Sequence, residues 1–510
     1  MLTTLDKITL AVLAGVLAYV AFQWGGAVRT GRYEYLLLLG ALAMIWSLGR
    51  PRDRWAPLPD RVVRWTSVFL PAYVLMQVVP LPVSLVRVLS PARASAVSAL
   101  GHIGSNVNFA ALSVSPAATF QSFLLVCGYV VIFLLVRELM WRLEVMPQFR
   151  SGSGGFTPPF SGWRGKPAAT TNATSNFKDR RWLAIAPIVA IGALEAALGL
   201  CQYFGGTGEQ VRWGTYANHN HYAGFLEMAL PFAVVYPVAL WRRARARGRS
   251  AVAPALGACG VWALAGLIFA GIVYSFSRMG FIATLFSLFV MGTLAFGTRQ
   301  LSWVARSRKR QIVTAGVAAA LALAGFVFLP PDKLIRRFAQ IASVEGLTAE
   351  GRIKLWAETI PLIRAYPFFG CGLGGYETAF LRFKVSEPLV TDDFAHNDYL
   401  QLLAELGVVG FAIGAALAFS VVRTAVREAV RSAHPGARDF AVACAGALAA
   451  IGLHSLADFN LYIPANAMLL AWIAGMTAGL RFQASRMSDG QRPACLTAIT
   501  VETAEIAARG

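Results

Sequence analysis

Long runs of apolar residues dominate this sequence and decide what it can fold into. Of its 510 residues, 56% are hydrophobic and only 14% are charged, whereas soluble domains carry roughly a quarter charged residues. A helix needs about 20 predominantly apolar residues to cross a bilayer, and about twelve segments of the chain approach that length. They lie near residues 8–25, 34–49, 66–82, 119–140, 182–204, 223–241, 253–274, 279–296, 311–329, 399–422, 439–457 and 464–480. The sequence therefore predicts an all-α polytopic membrane protein.

The distribution of basic residues indicates how the chain crosses the membrane. The sequence holds 46 Lys and Arg against 26 Asp and Glu, a formal net charge of +20. Short loops rich in Lys and Arg stay in the cytoplasm, and the Arg-rich connections fall on one side of the predicted spans, together with both termini. We therefore expect cytoplasmic termini. The charge does not indicate nucleic-acid binding, because no basic stripe interleaved with aromatic residues accompanies it.

The spans divide the chain into three parts. Residues 1–204 hold five predicted helices and a basic, Ser- and Gly-rich cytoplasmic linker at 141–181. Residues 205–480 hold the other spans and one long extracytoplasmic loop, 330–398, whereas the remaining extracytoplasmic loops are mostly short. Residues 481–510 form a polar cytoplasmic tail. The six cysteines lie too far apart for a CxxC metal pair or a disulfide framework.

Polar groups stand at the predicted outer ends of two spans. Arg212, Asn218 and Asn220 precede the sixth span, although an interfacial turn with an Asn helix cap would use the same residue types. A His-x-His metal pair beside them lacks a nearby carboxylate. Arg278 lies between two apolar helices with almost no loop, where a cation needs water or an anionic partner. A structural carboxylate partner remains the alternative.

The long loop contains a predicted helix from Thr348 to Ala365. Arg352 lies in its first turn, where the exposed amides and the helix dipole attract anions, so this is a candidate phosphate site. The following segment FFGCGLGGYE matches G-x-G-x-x-G, but no βαβ unit surrounds it, and we reject a dinucleotide site. Its glycines are expected to let the backbone approach the membrane or a ligand.

A histidine stands where the long loop meets the tenth span. His396 can accept a proton near neutral pH. The neighbouring Asp392, Asp393 and Asp398 could join it in binding a divalent ion, or form an acidic cap on the helix N-terminus. Further along the chain, His454 and Asp458 are four residues apart and are expected to pair on one helix face.

These segments together resemble the O-antigen ligase and polymerase superfamily of bacterial membrane glycosyltransferases, most strongly over residues 205–480. The motifs that carry the resemblance are, in chain order, Arg212-x-Gly214-Thr215-x-x-Asn218-x-Asn220, Ser277-Arg278-x-Gly280, Gly351-Arg352 with Trp356, Pro367-x-x-Gly370-x-Gly372, Ala395-His396-Asn397-x-Tyr399 and Ala404-Glu405-x-Gly407. Their order and the large loop between the ninth and tenth spans are typical of the superfamily. The first 200 residues match it only by hydropathy.

The resemblance implies a GT-C-like fold in the bacterial inner membrane with the active face in the periplasm. Such proteins transfer a glycan from an undecaprenyl-diphosphate carrier to a hydroxyl of lipid A core, of another carrier-linked repeat, or of a protein Ser or Thr. They need no metal and no other cofactor. The last branch is less favoured, because no additional soluble extension follows the final span.

The resemblance also assigns expected roles to residues of this chain. His396 is expected to act as the general base, and Arg278 and Arg352 to stabilise the leaving diphosphate. The expected substrate-binding residues are Arg212, Asn218, Asn220, Asn397 and Tyr399.

A flippase or transporter of lipid-linked oligosaccharides is the main alternative. Glu195 and Glu227 lie inside predicted spans and favour it, because transporters place charged residues near the bilayer midplane. The Arg, His and Asn residues above lie at outer helix ends instead, which favours an enzyme.

Overall fold

The computed structural model describes residues 3–26, 32–49, 56–99, 107–145, 180–205, 213–246, 252–297, 349–386, 391–432 and 434–480. The predicted span at 311–329, most of the linker at 141–181, Arg212, Thr348 and the tail at 481–510 lie outside these residues. The predictions made for them stay predictions.

The described residues are mostly helical, as predicted. The helices are α1 (Thr4–Phe22), α2 (Arg32–Leu48), α3 (Arg61–Met76), α4 (Val83–Leu89), α5 (Pro91–Ala99), α6 (Pro116–Val145), α7 (Ala186–Phe204), α8 (His219–Ala246), α9 (Val252–Tyr274), α10 (Arg278–Gly297), α11 (Ala349–Ala365), α12 (Tyr376–Phe380), α13 (Asp398–Arg431), α14 (Pro435–His454) and α15 (Pro464–Gly479). Short 3₁₀ turns lie at Trp24–Gly26, Arg180–Ala184 and Asn460–Tyr462. Strand β1 (Leu81–Pro82) pairs antiparallel with β2 (Phe109–Ala110).

Eight of these helices are long and apolar enough to cross a membrane: α1, α6, α7, α8, α9, α10, α13 and α14. Helix α8 has 78% of its apolar window buried inside the protein and α14 has 72%, whereas only 28% is buried in α10 and α13. Helices α8 and α14 therefore form the centre of the bundle. The apolar faces that α10 and α13 leave exposed are suited to contact lipid.

Contacts between helix ends define two ends of the bundle. At one end, Asp6 near the start of α1 lies 3.8 Å from Arg142 near the end of α6, and Gly479 of α15 packs on Met140. At the other end, the turn after α1 packs against Pro464, where α15 begins. We call this second end, at which α8, α13 and α15 begin, the site end. Thr3 and Leu480, the first and last described residues, lie at the opposite end.

A second folded connection lies at the site end and was not predicted. The sequence predicted mostly short loops here besides 330–398, yet residues 77–99 and 107–115 include α4, α5 and the β1–β2 pair. The Ser113 N–H donates to the Gln77 carbonyl (2.9 Å), and the Val114 N–H donates to Cys371 (2.8 Å). The segment folds because its backbone groups find partners in the loop after α11, a tertiary effect that local sequence patterns do not carry.

Candidate functional site

His396 occupies a fixed turn immediately before α13. Its φ of +48° is unusual for a residue with a side chain, and such a conformation persists only where the surroundings enforce it. Asn397 caps the helix, its Oδ1 accepting from the N–H groups of Tyr399 (3.0 Å) and Leu400 (3.1 Å). The cap and the turn therefore hold His396 at the site end.

The His396 imidazole faces a carboxylate that the sequence interpretation assigned elsewhere. Its Nδ1 lies 3.4 Å from Oδ1 of Asp458, which is completely buried, while 21% of the His396 side chain is exposed. The predicted pairing of His454 with Asp458 is wrong, because α14 ends at His454 and Asp458 lies in the turn beyond it. His454 pairs instead with Glu227 of α8 at 3.0 Å.

Asp458 is held in its ionised form. Burial would raise the pKa of this carboxyl, but the facing imidazoles of His221 and His396 and the charge of His454 outweigh burial and hold the pKa well below its usual range. A hydrogen-bonding or charged group that faces one imidazole nitrogen fixes the orientation of the ring and leaves the other nitrogen for a substrate. The carboxylate therefore orients the His396 ring.

Arg352 reaches the same turn from α11. Its Nη1 donates to the carbonyl of Ala457 at 2.8 Å, one residue before Asp458. Trp356, one helical turn later, donates from Nε1 to the carbonyl of Ala395 at 2.9 Å, one residue before His396. Helix α11 is thus fastened on both sides of the His396–Asp458 pair. These contacts bring Arg352 and His396, predicted from separate motifs, to adjoining positions.

Arg278 is the first residue of α10 and lies half-buried at the site end. The Oγ of the preceding Ser277 donates to Oδ1 of Asn220 at 2.7 Å, and a Cβ on Gly280 would lie 2.5 Å from Ala223. The Ser277–Gly280 motif is therefore seated on the first turns of α8. Residue His221, which follows Asn220, lies 3.6 Å from Asp458, so α8 connects Arg278 to the His396 turn.

The remaining predicted binding residues also serve the local structure. Oδ1 of Asn218 accepts the N–H of Asn220 at 2.8 Å and caps α8, which matches the cap considered from the sequence. The Tyr399 hydroxyl donates to the carbonyl of Gly452 at 2.6 Å. Their contacts with substrate, and that of Asn397, stay predictions.

Gly370, in the segment after α11, lies against protein backbone. The expected approach of the glycines in this segment to a membrane or a ligand stays a prediction. A Cβ on Gly370 would lie 2.1 Å from the carbonyl oxygen of Glu405, and one on Gly407 would lie 2.3 Å from that of Phe368. Gly407 has a φ of +62° and breaks the regular geometry of α13. Gln77, the residue after α3, holds both segments: its Nε2 donates to the carbonyls of Phe369 (2.7 Å) and Glu405 (2.9 Å). This contact joins the N-terminal region to the site end.

The acidic residues around His396 are engaged by protein groups. Oδ2 of Asp392 lies 2.5 Å from Nζ of Lys384, and Oδ1 of Asp398 accepts the N–H of Leu461 at 3.2 Å. Among the described residues, no group of three or more His, Cys, Asp or Glu side chains could hold a metal ion. The cap of α13 is Asn397, and Asp398 lies buried in the first turn of this helix. Binding of a divalent ion stays an untested alternative.

The sequence around these residues is similar to a known family. Residues 262–415 match the family model described as O-antigen ligase. This part of the chain is therefore similar to the O-antigen ligase family. The resemblance inferred from the motifs is confirmed, and the multi-pass helical bundle agrees with it. No curated protein matches the chain.

The matched region contains Arg278, Arg352 and His396. It ends within α13, so Asp458 and the first turns of α8 lie outside the match. Sequence reasoning missed Asp458 as a partner of His396. The signal that could have found it is an acidic residue at the end of an apolar segment, where an isolated charge is costly unless it is paired.

Proposed function

We propose that this protein transfers a glycan from an undecaprenyl-diphosphate carrier to an acceptor hydroxyl, as an O-antigen ligase or a polysaccharide polymerase. The reaction takes place on the periplasmic face of the bacterial inner membrane. One observation carries the proposal. Arg352 and His396, which lie in the region that matches the O-antigen ligase family, contact the consecutive residues Ala457 and Asp458.

The arginines stabilise the negative charge that develops on the leaving diphosphate. When the anomeric C–O bond to the diphosphate breaks, negative charge appears on the phosphate oxygens, and cations fixed there lower the barrier. A guanidinium binds two phosphate oxygens at once. We assign this role to Arg352 and Arg278, with Arg212 assisting.

His396 takes the proton from the acceptor hydroxyl as its oxygen attacks the anomeric carbon. With Nδ1 facing Asp458, the ring has Nε2 for the acceptor, and the carboxylate stabilises the imidazolium that forms. General-base catalysis of this kind contributes a rate factor on the order of 10²–10⁴. The products are the glycosylated acceptor, the carrier diphosphate and a proton on His396, so that neither a metal nor a cofactor enters the balance.

The contacts of the two intramembrane glutamates weaken the transporter alternative. Oε1 of Glu195 accepts the Thr215 hydroxyl at 2.6 Å, and Glu227 is paired with His454. Glu195 thus joins α7 to the turn before α8, and Glu227 joins α8 to α14. This structural use does not require a transported ion. A protein O-oligosaccharyltransferase would use the same site and differs only in its acceptor.

The test is reconstitution of the purified protein in vesicles with an undecaprenyl-diphosphate oligosaccharide and three acceptors: lipid A core, a second carrier-linked repeat and a Ser- and Thr-containing peptide. We expect a glycosylated product with one of the first two and none from the His396→Ala variant. A product on the peptide alone would assign the protein-glycosylating branch. Movement of the carrier across the bilayer without bond formation would overturn the proposal in favour of a flippase.

A further inference from the structure

Asp458 faces two imidazoles through one oxygen atom. Its Oδ1 lies 3.4 Å from Nδ1 of His396 and 3.6 Å from Nε2 of His221. Both distances are longer than an ordinary hydrogen bond, and both ring nitrogens are buried without another hydrogen-bond partner among the described residues. The two imidazoles therefore converge on a single carboxylate oxygen.

The residue after Asp458 holds both rings in place. The Phe459 ring lies edge-to-face with His221, with centroids 4.5 Å apart and planes at 72°, and with His396 at 4.8 Å and 77°. Such perpendicular contacts are the favoured geometry for aromatic rings. Phe394 stacks on the same Phe459 ring at 4.0 Å. The two histidines are therefore placed in similar geometry on the dipeptide Asp458–Phe459.

His221 is anchored more firmly than His396. It lies in the first turn of α8, only 6% of it is exposed, and its carbonyl accepts Nδ2 of Asn466 from α15 at 3.0 Å. His396 stands in a turn with 21% of its side chain exposed. A buried ring on the central helix can fix the carboxylate, while the more accessible ring is free to meet a substrate.

We propose that His221 is a positioning residue: it holds the Asp458 carboxylate against His396 and thereby speeds proton transfer from the acceptor. The inference rests on the proposed transferase function. Other charged groups face Asp458 from the elements packed around it, and they are the same in the wild type and in the His221 variants. They are His454 at the end of α14, Arg352 beside Ala457, and Asp398, whose N–H donates to the Asp458 carbonyl.

Two substitutions separate positioning from packing. His221→Phe keeps a ring on Phe459 but removes the N–H that faces Asp458, whereas His221→Gln restores an uncharged N–H donor near the same place. We expect the Phe variant to lower kcat about tenfold with KM within twofold, and the Gln variant to recover most of this loss. The matched control is His219→Phe on the same helix turn, whose ring lies 5.1 Å from Trp213; its kcat should match that of the wild type.

The contact itself is tested without activity by a double-mutant cycle on thermal unfolding in detergent. We expect the combined loss in Tm for His221→Phe with Asp458→Asn to fall short of the sum of the single losses by about 2 °C or more. Additive losses would overturn the inference, as would a folded, active Phe variant with wild-type kcat, or a folded Gln variant as slow as the Phe variant. If the Phe variant does not fold, His221→Ala replaces it. An inactive wild type with every acceptor would instead overturn the proposed function.

Discussion

Nδ1 of His396 and Oδ1 of Asp458 are 3.4 Å apart, and the carboxylate is completely buried. The two residues come from different segments, the loop before α13 and the turn after α14, so the pair exists only in the folded bundle. It gives the candidate base a fixed orientation and a fixed counter-charge.

Replacing Asp458 with Asn should slow the reaction and leave carrier binding nearly unchanged. The amide cannot stabilise an imidazolium as a carboxylate does, so we expect kcat to fall on the order of 10²-fold, within the range for general-base catalysis. Steady-state kinetics with the reconstituted protein measures this. The exposed Asp393 provides the control, because Asp393→Asn changes a nearby charge outside the pair. An Asp458→Asn variant with wild-type kcat would remove Asp458 from the mechanism.

The same carboxylate should make the protein sensitive to acid. The pKa of Asp458 is lower in the folded protein than its usual value, so its ionised form stabilises the fold above the unfolded pKa of about 4, and this contribution is lost as the pH falls further. Each pKa unit of difference between the folded and the unfolded protein corresponds to about 1.4 kcal/mol in the free energy of unfolding. Between pH 5 and pH 3, Tm should therefore fall less for Asp458→Asn than for the wild type and Asp393→Asn. Equal losses in all three proteins would contradict the ionised state of Asp458.

Removing Arg352 should slow transfer strongly without unfolding the protein. Its guanidinium joins α11 to Ala457 by one hydrogen bond, while Trp356 holds the helix independently. We expect Arg352→Ala to lose at least about 10²-fold in kcat, the loss seen when a group that stabilises transition-state charge is removed. Arg352→Lys should recover part of it, since charge is kept and the planar fork is lost. Arg364→Ala, an exposed change on the same helix, is the control; full activity of Arg352→Ala would refute the leaving-group role.

Much of the architecture was predictable because apolar length and helix-end residues are local signals. The predicted starts of α10 and α15 agree with the structure within one residue, at Arg278 and Pro464. The helix expected over 348–365 appears as Ala349–Ala365. The folded residues 77–99 and 107–115 were missed because their stability comes from contacts with the loop after α11, which no periodicity encodes.

The site was predictable in part for the same reason. Arg352 and His396 were found from short motifs and a helix start, whereas Asp458 was assigned to the wrong partner. The spacing of four residues predicts a pair only if the helix continues, and α14 ends at His454. A shift of less than one turn in the end of a membrane helix changes which partner a buried charge can reach. The position of a helix end is the least certain feature of a hydropathy pattern.

Chelation should leave the activity unchanged. Asp392 is engaged by Lys384 and Asp398 by the backbone of Leu461, so these carboxylates are not arranged as a ligand set for a hard cation, which needs six or more oxygens. Transfer should proceed at the same rate with and without EDTA. A loss of activity that Mg²⁺ restores would instead make the acidic residues around Asp392 a metal site.

The break in α13 should tolerate no side chain at Gly407. Its φ of +62° is strained for any other residue, and a Cβ would lie 2.3 Å from the carbonyl oxygen of Phe368. We expect Gly407→Ala to destabilise the protein by about 1–3 kcal/mol or more, the cost of enforced backbone strain. Gly414 on the same helix is the matched control, because nothing lies within 4 Å of its added Cβ, and Gly414→Ala should be neutral or slightly stabilising. Thermal unfolding in detergent distinguishes the two variants, and equal Tm values would mean that the loop after α11 can move away from α13.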